Sequence, residues 1–136
     1  KSVSLNLNIP GISIETDPGL LDTIVRNLVA NAIKFSYSGQ TVSVAAHVEN
    51  NFVTVSVSDT GTGMSGETLD NLFQLDKAKS LPGTANETGT GLGLFLSHEF
   101  AVRLGGKIEV SSKENEGSVF SIVLPLKEEN EDNIGN

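Results

Sequence analysis

Arg26-Asn27-Leu28-Val29-Ala30-Asn31-Ala32-Ile33-Lys34-Phe35 is the stretch from which the rest of the chain can be read. Two asparagines stand four residues apart, and a lysine follows three later. On a helix such residues stack into one row, because i, i+3 and i+4 are neighbours. Leu21, Ile24, Val25, Leu28, Ala32 and Ile33 form a separate apolar stripe. At 100° per residue the polar row lies roughly 110° round from the stripe's centre. It therefore runs along the seam between core and solvent, where the wall of a pocket would be. An amide oxygen there suits a hard cation such as Mg²⁺, and a lysine suits a phosphate as a point charge. Two asparagines in a helix are also common as plain solvated residues, so the row takes its meaning from the motifs later in the chain.

The chain has 136 residues, room for one domain around a single core. It begins at Lys1 without a methionine, so a piece of a longer protein is expected. No apolar run is long enough to span a bilayer, and no signal-peptide pattern is present. The absence of cysteine excludes disulfides, thiolate metal sites and a cysteine nucleophile. A formal net charge of −8 argues against a nucleic-acid-binding surface. Part of that charge sits in Glu128, Glu129, Glu131 and Asp132. Residues 1–126 are expected to form the domain, and residues 127–136 an acidic, disordered tail.

Around the helix the periodicities are clear. Ser2 to Ile9 alternates, with Val3, Leu5, Leu7 and Ile9 on one side, as in a half-buried strand. Pro10-Gly11 is a turn, and Ile12 to Glu15 reads as a short second strand. Asp17 as N-cap and Pro18 at the first helical position start the helix, which runs to about Ser36. Thr41 to Val48 and Phe52 to Ser58 alternate as two strands of a hairpin turning at Glu49-Asn50-Asn51. Ser65 can cap a short helix through about Phe73. Leu75 to Thr88 shows neither period, as expected of a functional lid. A further helix opens after a glycine-rich run at 89–93 and stops at Gly105-Gly106. Lys107 to Ser112 and Ser118 to Leu126 are two more strands, joined by a hairpin loop. The expected fold is an α/β two-layer sandwich: a mixed, largely antiparallel sheet of about five strands, covered on one face by three helices.

Two glycine clusters adjoin these elements. Asp59 closes a strand and is followed by Gly61 and Gly63. A carboxylate held beside a glycine turn can accept a hydrogen bond from an exocyclic amine such as that of adenine. Asp-Thr-Gly is also ordinary turn chemistry. The second cluster, Gly89-Thr90-Gly91-Leu92-Gly93-Leu94, opens a helix whose free N–H groups and dipole favour a phosphate. It is not a dinucleotide fingerprint, because no strand leads into it and no βαβ unit surrounds it. No Gly-x-x-x-x-Gly-Lys-Ser/Thr loop occurs, which excludes a P-loop enzyme.

Taken together and in this order, the motifs resemble the catalytic and ATP-binding domain of bacterial sensor histidine kinases, part of the superfamily with gyrase, Hsp90 and MutL ATPases. The likeness runs from about Val3 to Leu126. Asn27 to Phe35 resembles the asparagine box, Asp59 to Met64 the first glycine box, and Gly89 to Leu94 the second. Leu72-Phe73 looks like a shortened phenylalanine box, and Gly117-Ser118-x-Phe120 with Leu124-Pro125 the closing strand. The resemblance implies the Bergerat fold, with ATP and Mg²⁺ as cofactors. It implies that Asn31 ligates Mg²⁺, that Asn27 hydrogen-bonds a nearby phosphate or the site's polar network, and that Lys34 reaches a phosphate. Asp59 would read the adenine amine, supported by Gly61, Gly63 and the Ser118 hydroxyl. Leu75 to Thr88 would be the ATP lid, with Gly89, Thr90, Gly91, Leu92 and Gly93 at its base against the phosphates. Lys77 and Lys79 would neutralise the γ-phosphate.

The superfamily's hydrolases carry a glutamate one helical turn before the metal-binding asparagine. Here that position is Asn27, and an amide cannot act as general base at neutral pH. The resemblance therefore implies γ-phosphoryl transfer to a histidine rather than efficient hydrolysis, by positioning and charge neutralisation. The acceptor histidine would lie on a separate helical dimerisation domain, with a response-regulator receiver downstream and no nucleic acid involved. His47 and His98 lack the context of a phosphoacceptor and are expected to be structural or surface residues. The phenylalanine box is short, with Gln74-Leu75-Asp76 where a second aromatic is more usual. The domain is expected to be a monomer, bacterial and cytoplasmic, in a full-length protein that is membrane-anchored or not. Two other readings share the motifs: a serine kinase of the anti-sigma type, and a nucleotide-sensing module without transfer activity.

Overall fold

The computed structural model of the chain describes residues 2–8, 16–73, 83–85 and 92–126. The elements run in the order β1 (Ser4–Asn8), α1 (Pro18–Phe35), β2 (Thr41–Glu49), β3 (Phe52–Asp59), α2 (Gly66–Asn71), α3 (Leu92–Arg103), β4 (Lys107–Lys113) and β5 (Gly117–Pro125). Helix α1 starts where the sequence places it. The Asp17 carboxylate accepts from the Gly19 and Leu20 N–H groups at 2.9 and 3.1 Å, and Pro18 occupies the first turn. The hairpin between β2 and β3 turns on Asn50 and Asn51, at φ 52° and 65°. Asparagine tolerates that left-handed pair, and the resulting twist matches the flanking strands.

The five strands lie in the order β1-β2-β3-β5-β4. Strand β1 pairs parallel with β2, because α1 crosses between them, and the other pairings are antiparallel. Register decides which side chains share the core face. One row runs Val44–Val57–Phe120–Val110, and the next runs Val55–Ile122–Ile108. Against this face pack Ile24, Leu28 and Ala32 of α1 and Ala101 of α3, all buried. Helices α1 and α3 also pack on each other and provide most of the cover. Helix α2 buries none of its own residues, and Leu72 and Phe73 beyond its end reach the core instead.

Strand β1 departs from expectation. Leu5 and Leu7 pair with Val42 and Val44 and so lie on the core face, but they remain 51% and 60% exposed. The alternation gave the correct face but not the burial, because among the described strands β1 is the outermost and pairs only with β2. The short strand expected at Ile12 to Glu15 lies outside the described residues, as do residues 127–136. So does the expected lid except for residues 83–85.

Candidate functional site

Core-face register places a polar corner at one end of the apolar rows. Beyond Val57, Phe120 and Val110 on the same face come Asp59, Ser118 and Ser112. Asp59 and Ser118 face each other across β3 and β5 and are 8% and 7% exposed. One carboxylate oxygen of Asp59 accepts from the Gly61 N–H at 2.9 Å, and the Ser118 backbone N–H also donates to this carboxylate. Burial pushes the Asp59 carboxyl above the ordinary carboxylate value, and the two N–H donors offset part of that rise.

The first glycine cluster holds this corner against α1. A Cβ at Gly61 would collide with the Phe35 carbonyl, and one at Gly63 with the Lys113 carbonyl. Gly63 also has φ 64°. Between them the Thr62 N–H donates to the Phe35 carbonyl at 3.1 Å, and the Thr62 carbonyl accepts from Asn115 N–H at 2.6 Å. The loop is thus wedged between the end of α1 and the β4–β5 turn. The glycines expected to approach a ligand are needed already for that packing.

The polar row on α1 lies half-buried at the seam, as its spacing predicts. Asn27 donates from Nδ2 to the buried Ser97 hydroxyl at 3.1 Å and to the Gly93 carbonyl at 3.5 Å. Helix α1 therefore meets the first turn of α3, which joins the asparagine row to the end of the second glycine cluster. Asn31 sits one turn further along, and the Lys34 ammonium lies 5.1 Å from the centroid of the Phe35 ring. The Lys34 carbonyl accepts from the Thr84 N–H at 3.1 Å, and the Thr84 hydroxyl donates to the Ser36 carbonyl. This part of the expected lid rests on the C-terminal end of α1.

Five expected site positions, Lys77, Lys79, Gly89, Thr90 and Gly91, fall outside the described residues, as does the side chain of Leu92. The others assemble on adjoining elements: Asn27, Asn31 and Lys34 along α1, Gly93 against Asn27, and Asp59, Gly61, Gly63 and Ser118 at its C-terminal end. His98 stacks on Phe73 with ring centroids 5.1 Å apart, and His47 is exposed on the opposite face of the sheet. Sequence reasoning missed Ser97, Ser112 and Thr84. The first two were traceable in principle. Ser112 continues the inward parity of Ile108 and Val110, and Ser97 lies one helical turn after Gly93.

Among the described residues no group of three or more His, Cys, Asp or Glu side chains could hold a metal ion. Mg²⁺ commonly needs only one or two protein oxygens when substrate phosphates supply the rest. An amide on the α1 row fits that sparse donor set.

A family model described as histidine kinase-, DNA gyrase B- and HSP90-like ATPase matches residues 16–128. The chain is 37% identical over 130 residues to the adaptive-response sensory kinase SasA of Prochlorococcus marinus, covering 93% of this chain and 34% of that protein. It is also 37% identical over 134 residues to the sensor histidine kinase GacS of Pseudomonas protegens, covering 96% of this chain and 15% of that protein. The chain thus spans about a third or less of these curated relatives. A mycobacterial sensor histidine kinase, MprB, shares the fold with a TM-score of 0.77 at 23% identity, over 91% of this chain and 82% of that one. The catalytic domain of histidine kinase ThkA gives 0.75 at 25% identity, over 91% and 79%. The family model covers most of the chain, and the chain belongs to the histidine kinase-, DNA gyrase B- and HSP90-like ATPase family.

Proposed function

We propose that this chain is the ATP-binding catalytic domain of a bacterial sensor histidine kinase, which binds Mg-ATP and presents its γ-phosphoryl group to a histidine on another domain. The observation that carries this reading is Asn27. It stands on α1 one turn before Asn31, where the family's hydrolases have a carboxylate, and its amide is held by Ser97 and the Gly93 carbonyl. An amide so held is no base for water. Its relatives among the sensor kinases support the same reading.

In this reading the Asp59 carboxylate accepts from the adenine amine, with Ser118 beside it. Lys34 carries charge toward the phosphates, and Asn27 fixes the wall against which they lie. Asn31 is the residue that would hold Mg²⁺, which when bound neutralises phosphate charge. Residues 75–88 cover the nucleotide, with Lys77 near the γ-phosphate and Gly89 to Gly93 at the base. The partners are a helical dimerisation and phosphoacceptor domain and a receiver domain beyond it. Among the described residues no helix is long and apolar enough to cross a membrane. We place the domain in the cytoplasm, as a monomer when isolated. The test is phosphotransfer. A histidine-bearing helical domain from the same protein should be labelled by this chain and [γ-³²P]ATP, whereas ATP hydrolysis by the chain alone stays at background. Rapid hydrolysis without transfer would overturn the proposal.

A further inference from the structure

The polar corner contains a hydrogen-bond chain whose direction follows from counting its donors and acceptors. The Ser112 hydroxyl receives the Met64 N–H at 2.8 Å, lies 3.1 Å from the Gly117 carbonyl oxygen and lies 2.7 Å from the Ser118 hydroxyl. A serine hydroxyl has one proton and two lone pairs. The Met64 N–H can only donate, and the Gly117 carbonyl can only accept. Ser112 therefore gives its proton to Gly117 and uses one lone pair for Met64. The remaining lone pair takes the proton of Ser118. The reverse arrangement, with Ser112 donating to Ser118, forfeits the Gly117 bond and makes two hydrogen bonds rather than three.

With its proton committed, the Ser118 oxygen offers only lone pairs to anything beside it. Asp59, its partner across the strands, is a carboxylate and also only accepts. We propose that Ser112 is a positioning residue for base recognition: by taking the Ser118 proton it makes the Asp59–Ser118 corner an acceptor-only surface, which takes a 6-amino purine and disfavours a 6-oxo purine. A purine oxygen brought to this buried corner would face lone pairs and lose its hydrogen bond with water, the kind of penalty that discriminates strongly. The inference deepens the proposed nucleotide site and rests on the adenine reading of Asp59.

The test compares dissociation constants of ATP and inosine triphosphate, both with Mg²⁺, by calorimetry. Inosine triphosphate carries an oxygen in place of the 6-amino group. The unaltered protein should prefer ATP. Ser112→Ala frees the Ser118 hydroxyl to turn and donate, and should lower the ATP preference about threefold to tenfold, the worth of one hydrogen bond. Ser112→Cys, close in size and a weak acceptor, should shift it in the same direction and serves if the alanine variant does not fold. In a Ser118→Ala background the same Ser112 substitutions should leave the ratio unchanged, which a merely structural role would not produce. Equal loss of both nucleotides in Ser112→Ala, or an undiminished effect in the Ser118→Ala background, overturns the proposal. If Asp59→Asn abolishes the preference while both Ser112 variants leave it intact, the adenine reading stands and the role of Ser112 falls. An unaltered protein that binds both nucleotides equally overturns both.

Discussion

Asp59 is the residue at which stability and binding pull in opposite directions. Its carboxyl is raised above the ordinary value of 3.8 by burial. Well below 3.8 the group is neutral both folded and unfolded and has no effect on stability. As pH rises from there through the raised value, the unfolded chain loses its proton first, so the fold loses stability, and that loss persists at neutral pH. Asp59→Asn should therefore gain on the unaltered protein in urea-unfolding stability as pH rises from about 4 to 7. The same variant should bind ATP more weakly, because half of the acceptor becomes a donor. A parallel pH dependence in both proteins would contradict the cause assigned to the shift.

The two asparagines should separate in the same way. Asn27→Ala removes the donor to Ser97 and Gly93 and should lower stability by about 1 kcal/mol. Asn31→Ala borders the core without filling it. It should leave thermal stability within about 0.5 kcal/mol while weakening Mg-ATP binding. A large drop in the melting temperature of the ligand-free Asn31→Ala protein would refute this assignment. Spacing showed which faces carry both asparagines and Asp59, but their roles could be read only from the motifs taken together and the family likeness. Ser97 and Ser112 were traceable as positions, but their bonds to Asn27 and Met64 were not, since those form only through tertiary packing across 70 and 48 residues respectively.

At the scale of elements, the glycines separate packing from ligand approach. Gly61→Ala would drive a methyl into the Phe35 carbonyl and should cost about 1–3 kcal/mol in the ligand-free protein. Gly66→Ala, at the start of α2 with open space around it, should be neutral or stabilising. Urea unfolding of the two variants side by side checks this. Equal stability would mean that the first glycine cluster serves the ligand alone. The same cluster shows where sequence reading stopped. Its turn chemistry was visible, but the wedge between α1 and the β4–β5 turn depends on two remote backbones meeting. Strand β1 is the converse case. Its alternation put Leu5 and Leu7 on the correct face, yet period alone does not say whether an edge strand is covered.

At the scale of the molecule, the expected two-layer sandwich with a five-stranded mixed sheet is the observed one, and the parallel β1–β2 pair results from the α1 crossover. The topology gathers the motifs. The C-terminal end of α1, the end of β3, the start of β5 and residues 83–85 converge on one corner, while the start of α3 packs beside Asn27 further along α1. Gly93 and the segments 27–35 and 59–63 are far apart in the sequence, so their meeting could be inferred from the family likeness but not from local pattern. The central claim is that this arrangement binds Mg-ATP. The most direct measurement is calorimetric titration of the chain with a non-hydrolysable ATP analogue, with and without Mg²⁺, alongside the matching GTP analogue. The account predicts saturable binding that is stronger with Mg²⁺ and favours adenine. Absence of binding, or binding indifferent to both base and metal, would contradict it.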